Sequence, residues 1–583
     1  MTDIQSLVTD HLDIWTSAVE MKSTSGRGKN NKISLYGIKK LRELILELAV
    51  RGKLVPQDTN DEPASVLLEK ITTEKERLIK EKKLKKQKPL LKMGEGEKSF
   101  ELPKGWEWER LGNTGIGFTG KTPSTKVVEY FNGNIPFIGP GQITVNGDIL
   151  AAEKQLSESG VTQSVEAVNG DVLMVCIGGS IGKCAIISTR LTFNQQINSI
   201  RPLFIYSKYL YIAVSSRNFY SSLLDHATGS ATPIINRLKW ENLSITIPPL
   251  SEQHRIVAKV DELMSLCDQL EQQTEDSIAA HQTLVETLLN TLTRSQNAEE
   301  LTQNWNRISD HFDTLFTTEH SIDQLKQTIL QLAVMGNLVP QDPNDEPASI
   351  LLEKIVKEKD CLIKEKKIKK QKPLPSITEE EKPFDIPQGW EWAKLSTIAN
   401  VGTGATPSRA KLEYYNPAEY NWATSGETNS DFITETKEKI SLKAIKETNV
   451  SIYPIGTLIV AMYGQGKTRG QITELSIEAG TNQACAAIQL INSNVAHRKF
   501  IKLFFNKSYD EIRSFSAGGA QPNLNVGKIA NTVIPIAPLN EEDRIVAKVD
   551  QLIKLCDQLK TKITESQTTQ LHLTNAIAQQ TIT

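Results

Sequence analysis

The chain spells nearly the same polar segment twice: Val55–Ile71 is VPQDTNDEPASVLLEKI and Val339–Ile355 is VPQDPNDEPASILLEKI. Between Val50 and Ile71, 18 of 22 residues recur at an offset of 284. The register continues through GWEW (Gly105–Trp108 and Gly389–Trp392) and through TGKTPS from Thr119 against TGATPS from Thr403. It has lengthened to 288 at the pairs Asn194–Gln195 and Asn482–Gln483. At the last match, RIVAKVDELMSLCDQL from Arg255 against RIVAKVDQLIKLCDQL from Arg544, 13 of 16 residues agree at an offset of 289. Repetition on this scale requires one supersecondary unit to be built twice, so the chain is confined to folds with an internal repeat.

Each unit has a helical arm, a globular domain and a second helical arm. The expected segments are an N-terminal extension (1–34), an N-terminal arm (35–98), a first domain (99–250), a central helical and coiled-coil region (251–383), a second domain (384–539) and a C-terminal arm (540–583). A chain of 583 residues exceeds one hydrophobic core. Its 39% hydrophobic and 23% charged content is that of an ordinary globular protein. No apolar run is long enough to span a bilayer and no secretory leader is recognisable, so no membrane role is expected. The six cysteines form no C-x-x-C pair, which argues against a disulfide framework or structural zinc and for reduced thiols in the cytoplasm.

Helical periodicity is clearest in the last match. Ile256, Val260, Leu263, Cys267 and Leu270 alternate steps of four and three, as do Ile545, Val549, Leu552, Cys556 and Leu559. Beyond Leu559 the stripe continues through Ile563, Leu573 and Ile577, interrupted by Ser566 and Gln570. A seam of this kind predicts a coiled-coil spacer about 54 Å long, from ~36 residues at 1.5 Å each. The lysine-rich stretch from Glu81 to Pro89, EKKLKKQKP, reads as a basic helix end stopped by proline, either merely solvated or touching phosphate.

Between the arms, runs such as DVLMVCIG (Asp171–Gly178) and GTLIVAMYG (Gly456–Gly464) predict strands separated by glycine-rich turns, with short helices such as Ser207–Ala213. The fold class is therefore α+β: two similar, strand-rich domains separated by long antiparallel coiled-coil helices, with a pseudo-two-fold repeat. GIGFTGKT (Gly115–Thr122) formally satisfies two phosphate-loop patterns, but Pro123 and Ser124 leave no helix to receive phosphate, and VGTGATPS lacks the lysine. The eight histidines show no ligand spacing or triad, and no Asn-Pro-Pro or Asp-Pro-Pro methylase motif is present. No catalytic residue, bound cofactor or metal is expected in this chain. Like arms around unlike domains suggest a constant requirement on the arms and two different targets for the domains.

IPPLSEQHRIVAKVDELMSLCDQL (Ile247–Leu270), its echo IAPLNEEDRIVAKVDQLIKLCDQL (Ile536–Leu559), and the preceding GSATPIINRLKWENLSI and GGAQPNLNVGKIANTVI resemble the specificity subunit (HsdS) family of type I restriction-modification enzymes. The resemblance extends over almost the whole chain beyond the first 30 or so residues. One departure is that Glu542 and Asp543 stand where the first copy has Gln253 and His254. The resemblance implies two target recognition domains, each binding half of a bipartite asymmetric site in double-stranded DNA. It implies arms that set the gap between the halves and dock two modification (methyltransferase) subunits, with restriction (translocase/nuclease) subunits joining the assembly. S-adenosylmethionine, ATP and Mg2+ then belong to those partners. The alternative is a stand-alone two-headed DNA-binding protein.

Candidate DNA-contacting residues are polar side chains on the glycine-rich loops. In the first domain they are Lys121, Thr122, Ser124, Lys183, Gln195, Ser230 and Thr232. In the second they are Ser408, Arg409, Gln465, Lys467, Arg469, Gln483 and Gln521. Arginine and lysine suit guanine or phosphate, and glutamine suits adenine. Trp106, Trp108, Trp390 and Trp392 are expected as anchors joining arm to domain.

Overall fold

The computed structural model describes residues 10–22, 32–86, 89–229, 231–295, 298–369, 375–464, 467–514 and 524–582. It divides into one unit of Met1–Ile278 with Ser566–Thr583 and another of Ala279–Glu565. The helices that matter for the first unit are α1 (Leu12–Ser17), α2 (Tyr36–Val50), α3 (Ala64–Lys80), α4 (Ser207–Ser215), α5 (Arg217–His226) and the long α6 (Leu250–Thr293). Those of the second are α7 (Ala298–Asp310), α8 (Glu319–Val334), α9 (Ala348–Lys364), α10 (Val495–Lys507) and the long α11 (Leu539–Ile582). The two long helices have 44 residues each, about 66 Å at 1.5 Å per residue, longer than the seam alone suggested. Helix α6 begins in the first unit and ends in the second, whereas α11 runs from the second to the first.

In chain order the first unit has β1 (Glu20–Lys22), β2 (Lys32–Ser34), β3 (Glu107–Arg110), β4 (Gly115–Thr119), β5 (Ile135–Ile138), β6 (Lys154–Leu156), β7 (Glu166–Ala167), β8 (Val172–Val175), β9 (Cys184–Ile186), β10 (Leu191–Phe193), β11 (Ile197–Pro202) and β12 (Ser244–Ile247). An antiparallel sheet β4-β11-β8-β9 lies beside a mixed sheet β6-β5-β10-β7, in which only β5 and β10 are parallel. Every residue of β8 is buried, as expected of an apolar run in the middle of a sheet.

The second unit has β13 (Glu391–Lys394), β14 (Ala399–Thr403), β15 (Tyr420–Ala423), β16 (Phe432–Ile433), β17 (Glu438–Ile440), β18 (Ile452–Tyr453), β19 (Leu458–Ala461), β20 (Ile472–Leu475), β21 (Ala479–Thr481), β22 (Cys485–Leu490) and β23 (Val533–Ile536). Its sheets are β14-β22-β19-β20-β16 and β17-β15-β21-β18. The topology repeats the first domain except for β16, an added strand parallel to β20. Both domains are mixed α+β, rich in antiparallel sheet and connected by long helices.

In each unit the stripe on the long helix finds its apolar partner in the arm helix of the same repeat. Ile256, Val260, Leu263 and Cys267 are buried with Ile38, Leu41, Ile45 and Leu48 of α2, and Leu270 lies at the edge of that cluster. Ile545, Val549 and Cys556 are buried with Ile322, Leu325, Ile329 and Leu332 of α8, while Leu552 and Leu559 are partly buried. Arg42 bridges Asp268 and Glu271, both at 2.7 Å. In the second unit Lys326 meets Asp557, and Lys560 bridges Asp323 at 2.9 Å. The first half of each seam is thus a helix pair within its repeat. The polar interruption at Ser566 falls where α11 passes into the first unit, and there Ile577, Ala578 and Ile582 pack on the α2 cluster.

The near-identical segments are joined to one another. Trp106 donates its indole N–H to buried Glu252 (2.9 Å), Gln57 donates to the other Glu252 oxygen (3.1 Å), and Arg255 pairs with Asp61 at 2.6 Å. The copy is faithful: Trp390 to Glu541 at 3.0 Å, Gln341 to Glu541 at 3.1 Å, and Arg544 to Asp345 at 2.6 Å. The Ala64 and Ala348 amides each donate to the carbonyl of the glycine before the first tryptophan of GWEW, at 2.8 Å. Conservation of these flanks between the copies therefore has an internal cause, whatever binds the arms.

The Gln253/Glu542 departure is compensated locally. Gln253 is buried, accepting from the Tyr206 amide at 2.9 Å and donating to the Pro248 carbonyl at 3.0 Å. Glu542, equally buried, pairs instead with His497 Nδ1 at 2.9 Å. The lysine-rich stretch also departs from expectation. Helix α3 ends at Lys80, well before Pro89, because Lys82 turns left-handed (φ 56°) and the Lys83 amide closes back on the Leu78 carbonyl at 2.9 Å. Proline therefore does not stop this helix.

Candidate nucleic-acid interface

The glycine-rich front of the first domain is a strand followed by a loop, so the phosphate-loop pattern there lacks its helix. Where β4 ends, the amides of Gly120 and Lys121 donate to the carbonyls of Ile197 and Phe193, each at 3.0 Å. A Cβ on Gly120 would lie 2.0 Å from the Asn194 carbonyl, so only glycine permits this approach. Thr122 then donates to Gln195 Oε1 at 2.7 Å, and Ser164 holds the Lys121 carbonyl at 2.6 Å. Asn194 turns inward, its Oδ1 accepting from the Gln196 amide at 3.0 Å, while Gln195 stays exposed.

Two further loops join this corner through their backbones. The Gln196 carbonyl accepts from Cys176, the Cys176 carbonyl from Ile235, and the Pro233 carbonyl from Gly178, at 2.8, 3.0 and 2.9 Å. Asn198 ties the cluster from below, accepting from Thr119 at 2.9 Å and reaching Cys176 Sγ at 3.2 Å. Burial pushes the Cys176 thiol up to about 12, which makes it an inert packing group. The structure thus brings the loops of Lys121, Thr122, Gln195, Lys183 and Thr232 into one connected cluster, with Lys121, Gln195 and Thr232 exposed and Thr122 and Lys183 half-buried. Ser124 is exposed on the continuation of the front loop, and Ser230 lies outside the described residues.

The second domain repeats the scaffold with other side chains. A Cβ on Gly404 would overlap the Thr481 carbonyl, and Thr406 donates to Gln483 as Thr122 does to Gln195. The Met462 amide donates to the Ala484 carbonyl at 2.7 Å, bringing in the loop that carries Lys467 and Arg469. Ser408 and Lys467 are exposed and Arg469 is half-buried; Gln465 and Gln521 lie outside the described residues. Arg409 is already engaged. It pairs with Glu438 at 2.7 and 2.9 Å and lies over the rings of Tyr415 and Trp422, at 5.2 and 5.8 Å from their centroids. To reach a base it would first have to leave Glu438.

A model of the type I restriction modification DNA specificity domain matches residues 103–280 and again 387–566. The chain belongs to the type I restriction-modification specificity subunits. This specificity subunit is 43% identical to the EcoAI specificity subunit of Escherichia coli, the match covering 98% of this chain and 99% of that protein. It is 40% identical to the EcoEI specificity subunit of the same species, at 98% and 99% coverage. The solved HsdS subunit from Thermoanaerobacter tengcongensis aligns at 16% identity with a TM-score of 0.42, covering 82% of this chain and 97% of that one. The protein is a sequence-specific DNA-recognition subunit of a type I restriction-modification complex and a non-catalytic component of it.

Among the described residues of this specificity subunit, no group of three or more His, Cys, Asp and Glu is placed to hold a metal ion. No helix among them is long and apolar enough to cross a membrane. Cys361 is exposed and the other five cysteines are buried, all of them free thiols. The reading of single residues missed the Gln57–Trp106–Glu252 and Asp61–Arg255 contacts. The signal was available, because all five residues are identical in the two copies.

Proposed function

We propose that this specificity subunit reads a bipartite, asymmetric site in double-stranded DNA, its first domain (99–250) taking one half and its second (384–539) the other. What carries this reading is one loop scaffold built twice, with the same threonine–glutamine contact and glycine approach but different exposed side chains and an extra strand in one copy. A shared scaffold keeps the backbone pose, and unlike side chains change the bases accepted. Lys121, Thr122, Ser124, Lys183, Gln195, Ser230 and Thr232 are the candidates for one half, with Ser408, Arg409, Gln465, Lys467, Arg469, Gln483 and Gln521 for the other. Each good bidentate contact contributes about 1–3 kcal/mol of discrimination.

The arms (35–98, 251–383 and 540–583) hold the gap constant and receive two modification subunits, which methylate adenine N6 with S-adenosylmethionine. Restriction subunits using ATP and Mg2+ complete the assembly in the cytoplasm. Selection of bound duplexes from a random-sequence pool by the chain with its modification subunit tests the reading. Two unlike half-sites in one motif support it. Equally tight selection by the chain alone would favour a stand-alone two-headed binder.

A further inference from the structure

We propose that the lysine-rich turns closing α3 and α9 bind the phosphate backbone of duplex DNA without regard to sequence, a second contact surface carried on helix ends. The inference rests on the chain being a DNA specificity subunit. From Lys80 to Lys86 five lysines face one acid, Glu81, a net charge of 5 − 1 = +4; from Lys364 to Lys369 four lysines face Glu365, 4 − 1 = +3. The whole chain carries −2, so both turns are strong local departures from its average. All nine lysines are exposed. The single acid in each turn is already engaged, Glu81 by Arg77 (2.7 Å) and Lys83 (2.9 Å), Glu365 by Lys367 (2.9 Å). Among the described residues no carboxylate lies within 4.0 Å of the ammonium groups of Lys82, Lys85, Lys86, Lys366 or Lys369.

The presentation is built, and built twice. In one turn Lys82 takes φ 56° and Lys83 N–H closes on the Leu78 carbonyl at 2.9 Å; in the other Lys366 takes φ 59° and Lys367 N–H closes on Leu362 at 2.9 Å. That left-handed position is normally glycine or asparagine; both copies keep lysine. One helical face upstream is fixed to the domain by a lysine of its own, since Lys75 donates to the Gly112 carbonyl at 2.6 Å and Lys359 to Ala399 at 3.2 Å. The apolar residues of the turns, Leu84 and Ile368, are half-buried, and no exposed apolar side chain stands among the lysines. A protein partner would call for an apolar or aromatic centre, in which lysine is depleted. Phosphates require only charge within reach, and lysine supplies it without base preference.

The test replaces Lys82, Lys85, Lys86, Lys366 and Lys369 with glutamine and measures specific duplex binding by the chain with its modification subunit across salt concentrations. Removing one phosphate interaction should make the slope of log K against log salt shallower by about 0.9, for a total of up to ~4.5 over the five positions. The methylated motif should keep its letters, the melting temperature should hold, and arginine at the same five positions should restore the slope. An unchanged slope would overturn the proposal. So would changed half-site letters, or failure to assemble with the modification subunit at constant slope, which would place an acidic protein surface on the turns. Absence of specific binding by the unsubstituted complex would overturn the DNA-reading function as well.

Discussion

Trp106 and Glu252 meet in the interior of the first unit, and the indole N–H is the donor to a carboxylate oxygen with almost no solvent access. Burial raises the Glu252 carboxyl above its usual range, with the Trp106 and Gln57 hydrogen bonds pulling it back. Trp106→Phe keeps the aromatic packing and removes the donor, so it should destabilise the first unit by about 1–3 kcal/mol, the cost of an unsatisfied buried polar atom. Trp390→Phe should do the same to the second unit. Hydrogen exchange resolved by unit checks both, and an effect of either change on the opposite unit alone would refute the assignment. Lys75 carries a pH signature: burial pushes its ammonium down to about 8, against the attraction of Glu241 and Glu109. Since the folded pKa lies below the unfolded one, the associated stability is present above pH 10.5 and is lost as pH falls through about 8. The stability of the unsubstituted chain relative to Lys75→Met should therefore rise between pH 8 and 10, by denaturation at matched salt. Thr122, Gln195 and Gln483 stood out in the sequence because they lie in motifs that both copies keep, but Thr406 and the threonine–glutamine contacts themselves did not. Nor did the pairing of Arg409 with Glu438, since both lie in the diverged region and their contact depends on a fold that periodicity does not specify.

At the scale of elements, the arm and seam helices were readable because an apolar stripe at steps of three and four has few other uses. What the stripe could not reveal was its partner, since α2, α8 and a second long helix all offer complementary apolar faces. Packing gave the first half of each seam to the arm helix of its own repeat, and the ion pairs of Arg42 and Lys326 follow that choice. The lysine-rich helix ends were placed too late in the chain, because a left-handed lysine is a rare terminator and proline a familiar one. The division of the chain makes the last helical segment part of the first unit. Tyr36 donates to Asn575 at 2.8 Å, Lys53 reaches the Ile582 carbonyl at 2.8 Å, and Ile577 and Ile582 pack on the α2 cluster. Removing Ser566–Thr583 should therefore lower the stability of the N-terminal unit by several kcal/mol, at about 1.5–3 kcal/mol for each fully buried aliphatic side chain and less for these partly exposed ones. Protection of amides in Ala279–Glu565 should be far less affected, and preferential loss of protection there would contradict this packing.

For the whole molecule, the proposed bipartite reading makes a duplicated chain with unlike domains a device for multiplying two modest selectivities. Two half-sites read together gain without a second full loss of rotational and translational freedom, provided their spacing is held. Inserting one helical turn of four residues after Ile278 in α6, with a matching four after Glu565 in α11, adds about 6 Å at 1.5 Å per residue. The gap should lengthen by about two base pairs, at 3.4 Å each, while the letters of both half-sites stay the same. Altered letters at a constant gap would mean that the helices shape recognition and do not measure distance. The most direct test of bipartite reading is single-molecule sequencing of methylated adenines in cells that express this chain with its cognate modification subunit. One motif composed of two unlike half-sites at an invariant gap is the required outcome; a contiguous motif, two identical half-sites or a gap that varies from site to site would contradict it.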